Sequence, residues 1–180
     1  ETWLMWWGMS RSRTIRIGGD EMDSSIVQYI KRMYNLMIGE RTAEEIKITV
    51  GTAIVTPDTD RTMDIRGRDL VSGLPKTLTI RAKEIREALN EPIYKIIDAV
   101  KGTLEKTPPE LAADVMDHGI MMTGGGALLM NLDKLLSHET GMPVLVSEDA
   151  LSCVGEGTGR TLENIGLLKN VVMSSKKLKQ

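Results

Sequence analysis

Apolar residues recur at three- and four-residue steps through Met22, Ile26, Ile30, Met33 and Met37. That spacing lines one face of a helix of about four turns. Thr14, Ile15 and Ile17 precede it as a short strand, Gly18 and Gly19 as a turn, Asp20 as the helix cap, and Gly39 as the stop. Thr42 and Glu45 stand at capping-box spacing and predict a short helix from about Ala43 to Thr49. Residues 54–62, polar and carrying Pro57, read as a loop, and "MDIRGRDLVSGLPKTLTI" reads as a hairpin turning at Ser72 to Pro75.

The longest helical pattern joins Ile85, Leu89, Ile93, Ile96, Ile97, Val100 and Leu104, and Pro92 kinks or divides it. "TPPELAADVMDHG" is a shorter helix with Pro109 in its first turn and Gly119 at its end. Then come the strand "IMMT", the turn Gly124 to Gly126, a helix over "ALLMNLDKLLSHETG" and the strand "MPVLVSE". "DALSCVGEGTGRTLENIGLLK" is mostly helical, broken at Gly155, Gly157 and Gly159, and residues 171–180 are a basic tail. The order β–α–α–β–β–α–α–β–α–β–α predicts an α/β fold. Its two ends share a parallel sheet and its middle third is inserted as a smaller α+β subdomain.

Composition narrows the function classes. A net charge of −2 gives no global attraction to nucleic acid. One cysteine, Cys153, permits no internal disulfide and fits a reducing cytoplasm. His118 and His138, far from each other and from Cys153, do not make a zinc pattern. No apolar run approaches the ~20 residues of a membrane span. Trp3, Trp6 and Trp7, followed by Arg11 and Arg13, read either as an interfacial anchor on anionic lipid or as a poorly packed terminus.

Candidate chemistry lies at the glycine clusters. Gly124, Gly125 and Gly126 follow a strand and precede a helix, where free backbone N–H groups favour an anion and glycine admits close approach. The spacing matches no dinucleotide or P-loop motif, so a plain strand–helix turn competes with a ligand cradle. Gly18–Gly19 and Gly155–Gly159 occupy comparable junctions, and ligands of open α/β sheets bind at that edge. Glu44 and Lys47, three apart, share a helix face and read as a solvated pair or as ribose- and adenine-lining groups. Asp20, Glu21 and Asp23 suit a helix start.

Taken together, "IRIGGDEMD", "NLMIGERTAEEIK", "IRGRDLVSGLPKT", "EKTPPELAADVMDHGIMMTGGGALLMNLDKLL" and "CVGEGTGRTLEN" closely resemble the bacterial actin homologue MreB, in order from about Ser12 to Leu168. The resemblance implies the actin-like ATPase fold, second-domain portion. Residues 12–38 and 118–170 would form the discontinuous sheet subdomain, 39–117 the inserted one, and 1–11 an atypical Trp-rich start. It implies ATP, with Mg²⁺, as the nucleotide, held on its adenosine side by Glu44, Glu45, Ile46 and Lys47 on one wall and by Gly124, Gly125, Gly126, Ala127 and Leu128 on the other. It implies a cytoplasmic filament protein controlling rod shape, whose partners are copies of itself or full-length MreB-like protomers, with a candidate membrane-surface contact.

The family's first domain and its D-x-G-G-G-T phosphate loop have no counterpart here; "ETWLMWWGM" stands where that loop should be. The expectation is therefore a truncated form that binds ATP weakly, at best in the millimolar range or roughly −4 kcal/mol, and does not hydrolyse it alone. A fragment of another actin-superfamily ATPase, such as a chaperone or sugar kinase, or a nucleotide-independent interaction module, are the alternatives.

Overall fold

The computed structural model describes residues 13–163. Helix α1, Gly19–Tyr34, buries Met22, Ile26, Tyr29 and Ile30 along one face. A two-residue strand β1, Leu36–Met37, leads into α2, Glu40–Val50, which buries Ala43, Ile46 and Val50. The hairpin β2, Thr62–Asp69, and β3, Pro75–Arg81, pairs Ile65 with Leu78 and completes an antiparallel sheet of order β1–β2–β3. Helices α3, Ala82–Ala88, and α4, Asn90–Leu104, follow, with Pro92 buried in the first turn of α4. Pro92 thus lies where its missing N–H costs no helical hydrogen bond.

Helix α5, Pro109–His118, closes at Gly119 (φ 80°) and opens a second sheet. There β4, Ile120–Met122, runs parallel to β5, Val144–Val146, with Met121 opposite Leu145. Between them lie one turn of 3-10 helix, Gly125–Leu128, and helix α6, Leu132–Thr140; α7, Cys153–Glu163, is the last element of the described residues. One apolar cluster runs from Met22 and Ile30 through Ile46, Ile65, Ile80, Ile85 and Ile97 to Leu132 and Leu136. It spans both sheets, and with no Phe in the chain it is mostly aliphatic, Tyr29 being its one buried aromatic among the described residues.

Several expected elements form differently. Thr14 to Ile17 make no strand, although Ile15 and Ile17 alternate in burial with Thr14 and Arg16. A strand needs a ladder partner as well as alternation, and no strand among the described residues pairs with them. Helix α1 stops at Tyr34 because Asn35 turns left-handed (φ 51°) and returns its N–H to Lys31 O at 3.0 Å. Met37 therefore belongs to β1, and both Met33 and Met37 are exposed. Asp20 sits in the first turn of α1 and caps nothing with its side chain, the cap position being Gly18.

Gly39 starts α2, since Ala43 donates its N–H to Gly39 O. Thr42 is thus already helical and the Thr42–Glu45 capping box does not form. The helix expected from Ala127 divides at Asn131, which is left-handed (φ 61°). Helix α7 runs unbroken through Gly155, Gly157 and Gly159. None of those glycines has positive φ, so nothing there turns the chain. The basic tail and the Trp-rich start lie outside the described residues.

Candidate functional site

The glycine turn is built from its backbone. After β4, Gly124 adopts φ 84°, which an L side chain rarely takes, and it donates its N–H to Ala150 O at 2.6 Å. Ala127 then donates to Gly124 O and Leu129 to Gly126 O, closing the 3-10 turn. Ala127 is buried and Leu128 exposed. A Cβ added to Gly125 would rest 3.4 Å from the Leu151 side chain, whereas at Gly124 and Gly126 it would meet nothing within 4 Å. The turn is thus held from beneath by residues 150–151 and bare above. A bare glycine surface lets a flat group lie directly against backbone.

The other predicted wall is helix α2, whose residues face different ways. Ile46 is fully buried in the core and anchors the helix. Glu44 and Glu45 are exposed, and Glu45 lies 3.9 Å from Arg41 on the solvent side. That contact is long and solvated and contributes little. Lys47 does not pair with Glu44. Its Nζ donates to Asp23 Oδ2 at 2.8 Å and to Gly19 O at 3.3 Å, across to the start of α1. A Cβ at Gly19 would come within 3.1 Å of that Nζ, a tight approach that the flexible end of the lysine can relieve by a small shift. Gly19 O and Asp23 Oδ2 together seat Lys47 at the start of α1.

The two walls are joined directly behind the site. Gly51 ends α2 by donating its N–H to Ile46 O and Lys47 O. Thr52 then bridges Met130 in parallel, and Ala53 donates its N–H to Met130 O at 2.7 Å. Asn131 Nδ2 donates to Ile54 O at 3.1 Å and to Thr52 Oγ1 at 3.3 Å. Arg86 of α3 adds a bond from Nε to Ala53 O. Asp23, Thr52 and Asn131 escaped the sequence reading as site residues. Asp23 read as part of a dipole-favouring run, and Thr52 lies between glycine and apolar residues without a motif. Asn131 falls inside the apolar pattern that predicts one continuous helix, so nothing local marks it out.

A shallow recess of about 410 Å³ lies elsewhere, over α6 and β5, lined by Asp133, Lys134, Ser137, His138 and Val144. It includes none of the candidate residues.

The comparisons with known proteins agree with this architecture. The family model described as MreB/Mbl protein matches residues 4–170. The cell shape-determining protein Mbl of Bacillus subtilis is 53% identical over 158 residues, covering 87% of this chain and 47% of the relative. The cell shape-determining protein MreB of Escherichia coli is 49% identical, covering 89% and 46%. The chain thus spans about half the length of the curated relatives it matches. Among solved structures, MreB5 of Spiroplasma citri bound to ADP superposes with a TM-score of 0.81 at 43% identity, over 88% of this chain and 47% of that one. A MamK double helical filament superposes at 0.60 with 19% identity, over 73% and 40%, and speaks for the actin-like fold alone.

Proposed function

The chain belongs to the MreB/Mbl family, and from that premise we propose that it is the adenosine-binding portion of an ATP-dependent filament protein that controls cell shape. The observation that carries this reading is the bare glycine surface at Gly124 and Gly126, supported from below and tied to α2. Gly124, Gly125, Gly126, Ala127 and Leu128 receive the adenosine. The exposed carboxylates of Glu44 and Glu45 can accept hydrogen bonds from ribose hydroxyls. Lys47 has three N–H donors, two of them committed to Asp23 and Gly19. The third remains for the ligand. Ile46 acts from the core by holding the helix in place.

In the family-level reading, ATP with Mg²⁺ supplies the free energy that drives filament turnover. Residues 13–38 and 118–163 then form part of the sheet subdomain and 39–117 the inserted one. The partners are other protomers of this kind. The reading is cytoplasmic, with Trp3, Trp6 and Trp7 as the candidate contact with a membrane surface. Among the described residues, no helix is long and apolar enough to cross a membrane.

Hydrogen exchange of the chain with and without millimolar ADP tests the nucleotide reading, with GDP as control. Slower exchange in 44–54 and 124–131, larger for ADP than for GDP, is expected. Unchanged exchange in both segments at 10-fold higher ADP than a millimolar Kd requires would reject it. Co-sedimentation with a full-length MreB-type protein tests the partner, and a chain that stays in the supernatant counts against it.

A further inference from the structure

We propose that Thr52 and Asn131 form a lock that sets the spacing between the two walls of the adenosine site, so that both are positioning residues for nucleotide binding. The nucleotide role rests on the reading above; the lock does not.

Three observations carry it. Thr52 is buried to 1% exposure and is the one polar or charged residue buried in the core of the described residues. Its hydroxyl has one proton, and the nearest acceptor is Ile54 O at 2.7 Å, with Met130 O at 3.2 Å. A lone pair then remains for Asn131 Nδ2 at 3.3 Å. A hydroxyl buried this deeply persists only because both its roles are used.

Asn131 breaks a local rule. It stands immediately before α6, where an Asn side chain ordinarily accepts a hydrogen bond from the helix start. Here it makes no capping bond, takes a left-handed backbone (φ 61°, ψ 14°), and turns its amide to the segment after α2 instead. Local preferences given up in this way mark positions whose long-range contact matters more. Asn tolerates the left-handed region better than other non-glycine residues, which suits it to the position.

The lock also has only rigid neighbours. On one side, Gly51 leaves no slack, because a Cβ there would lie 2.2 Å from Lys47 O. On the other, Leu129, one residue after the glycine turn, is buried and bonded to Gly126 O. A shift at Thr52–Asn131 therefore moves the end of α2 and the glycine turn relative to each other. Neither wall can adjust alone.

The test compares Thr52→Val, Thr52→Ser, Asn131→Gly and the double variant Thr52→Val/Asn131→Gly in the full chain. Asn131→Gly permits the left-handed backbone and removes the side chain that carries the amide; Thr52→Ser keeps the hydroxyl. Hydrogen exchange is read in 46–54 and 124–131, and ADP affinity by titration. Either disruptive single variant should accelerate exchange in both segments together, by about fivefold or more. The double variant should add little further, and Thr52→Ser should behave as wild type. ADP affinity should fall at least threefold in the disruptive variants and recover in Thr52→Ser. Acceleration confined to the mutated segment, or strictly additive effects, would overturn the lock. Coupled exchange with unchanged ADP affinity would overturn the positioning role. A wild-type chain that binds no ADP, with disruptive variants that still accelerate exchange in both segments together, would sink the nucleotide reading and leave the lock standing. A Thr52→Val chain too unstable to study leaves Asn131→Gly and Thr52→Ser to decide.

Discussion

Lys47 Nζ and Asp23 Oδ2 meet at 2.8 Å with their side chains only 17% and 13% exposed, and they join helix α2 to the start of α1. The other carboxylate oxygen, Asp23 Oδ1, is buried without a hydrogen-bond partner. The pair is therefore asymmetric: Asp23 depends on Lys47 more than Lys47, which also has Gly19 O, depends on Asp23. Lys47→Met strands a buried carboxylate and should destabilise the chain by about 2–3 kcal/mol, somewhat below the full cost of breaking a wholly buried pair. Asp23→Asn should be milder. Asp23→Leu combined with Lys47→Met should recover most of the loss. Urea denaturation measures all three, and a Lys47→Met chain as stable as wild type would refute the argument.

That contact also shows where the sequence was legible. The hairpin at Thr62–Arg81 was readable because alternation and a Ser-Gly-Leu-Pro turn act locally. So was the division at Pro92, since proline acts on its own helix. Two asparagines were not readable. Asn35 and Asn131 both take left-handed backbone, which in sequence is indistinguishable from an ordinary cap or loop residue. The glycines of α7 predict breaks that do not form, for the converse reason: glycine permits a turn but does not require one. Helical spacing offers Glu44 as a face-sharing neighbour of Lys47, yet its ion-pair partner is 24 residues away. The family resemblance names Glu44–Lys47 and Gly124–Leu128 as candidate walls; the contacts that tie these two segments together are nonlocal and appear only in three dimensions.

Gly67 of β2 admits the neighbouring strand. A Cβ there would approach Met37 O to 2.5 Å and Leu36 Cγ to 2.9 Å. Both belong to β1, which is only two residues long and cannot shift without losing its pairing. Gly67→Ala should therefore cost about 1–3 kcal/mol. It should also speed hydrogen exchange at 35–38 more than at 75–81. Thermal unfolding and exchange measured on the same variant check this, and equal protection of β1 in variant and wild type would contradict it.

The hairpin turn should titrate. The Ser72 backbone N–H holds the Asp69 carboxyl down to about 2, helped by the Lys76 ammonium and the Val71 N–H. A carboxyl whose pKa is lower in the folded chain stabilises it above the unfolded value, near 3.8, and loses that contribution as pH falls toward 2. Asp69→Ala should therefore separate from wild type in stability at pH 5 and converge with it between pH 4 and pH 2. Denaturation curves at a series of pH values read this directly. A gap that stays constant down to pH 2 would show that Asp69 does not act through its charge.

Gly126 separates a structural from a ligand-binding use of glycine. Its backbone is not left-handed, and a Cβ there meets nothing within 4 Å. Gly126→Ala should thus leave stability unchanged or raise it by about 0.5 kcal/mol, through the smaller entropy of the unfolded chain. Gly124, at φ 84°, is the contrast. There alanine should cost about 1–2 kcal/mol of backbone strain. If the bare surface receives adenosine, the order reverses for binding: the stable Gly126→Ala chain should lose ADP affinity, because its methyl group occupies the face the ligand uses. Thermal unfolding with and without ADP measures both quantities on one sample. A Gly126→Ala chain that keeps its stability and its full ADP-induced shift would remove the glycine turn from the site.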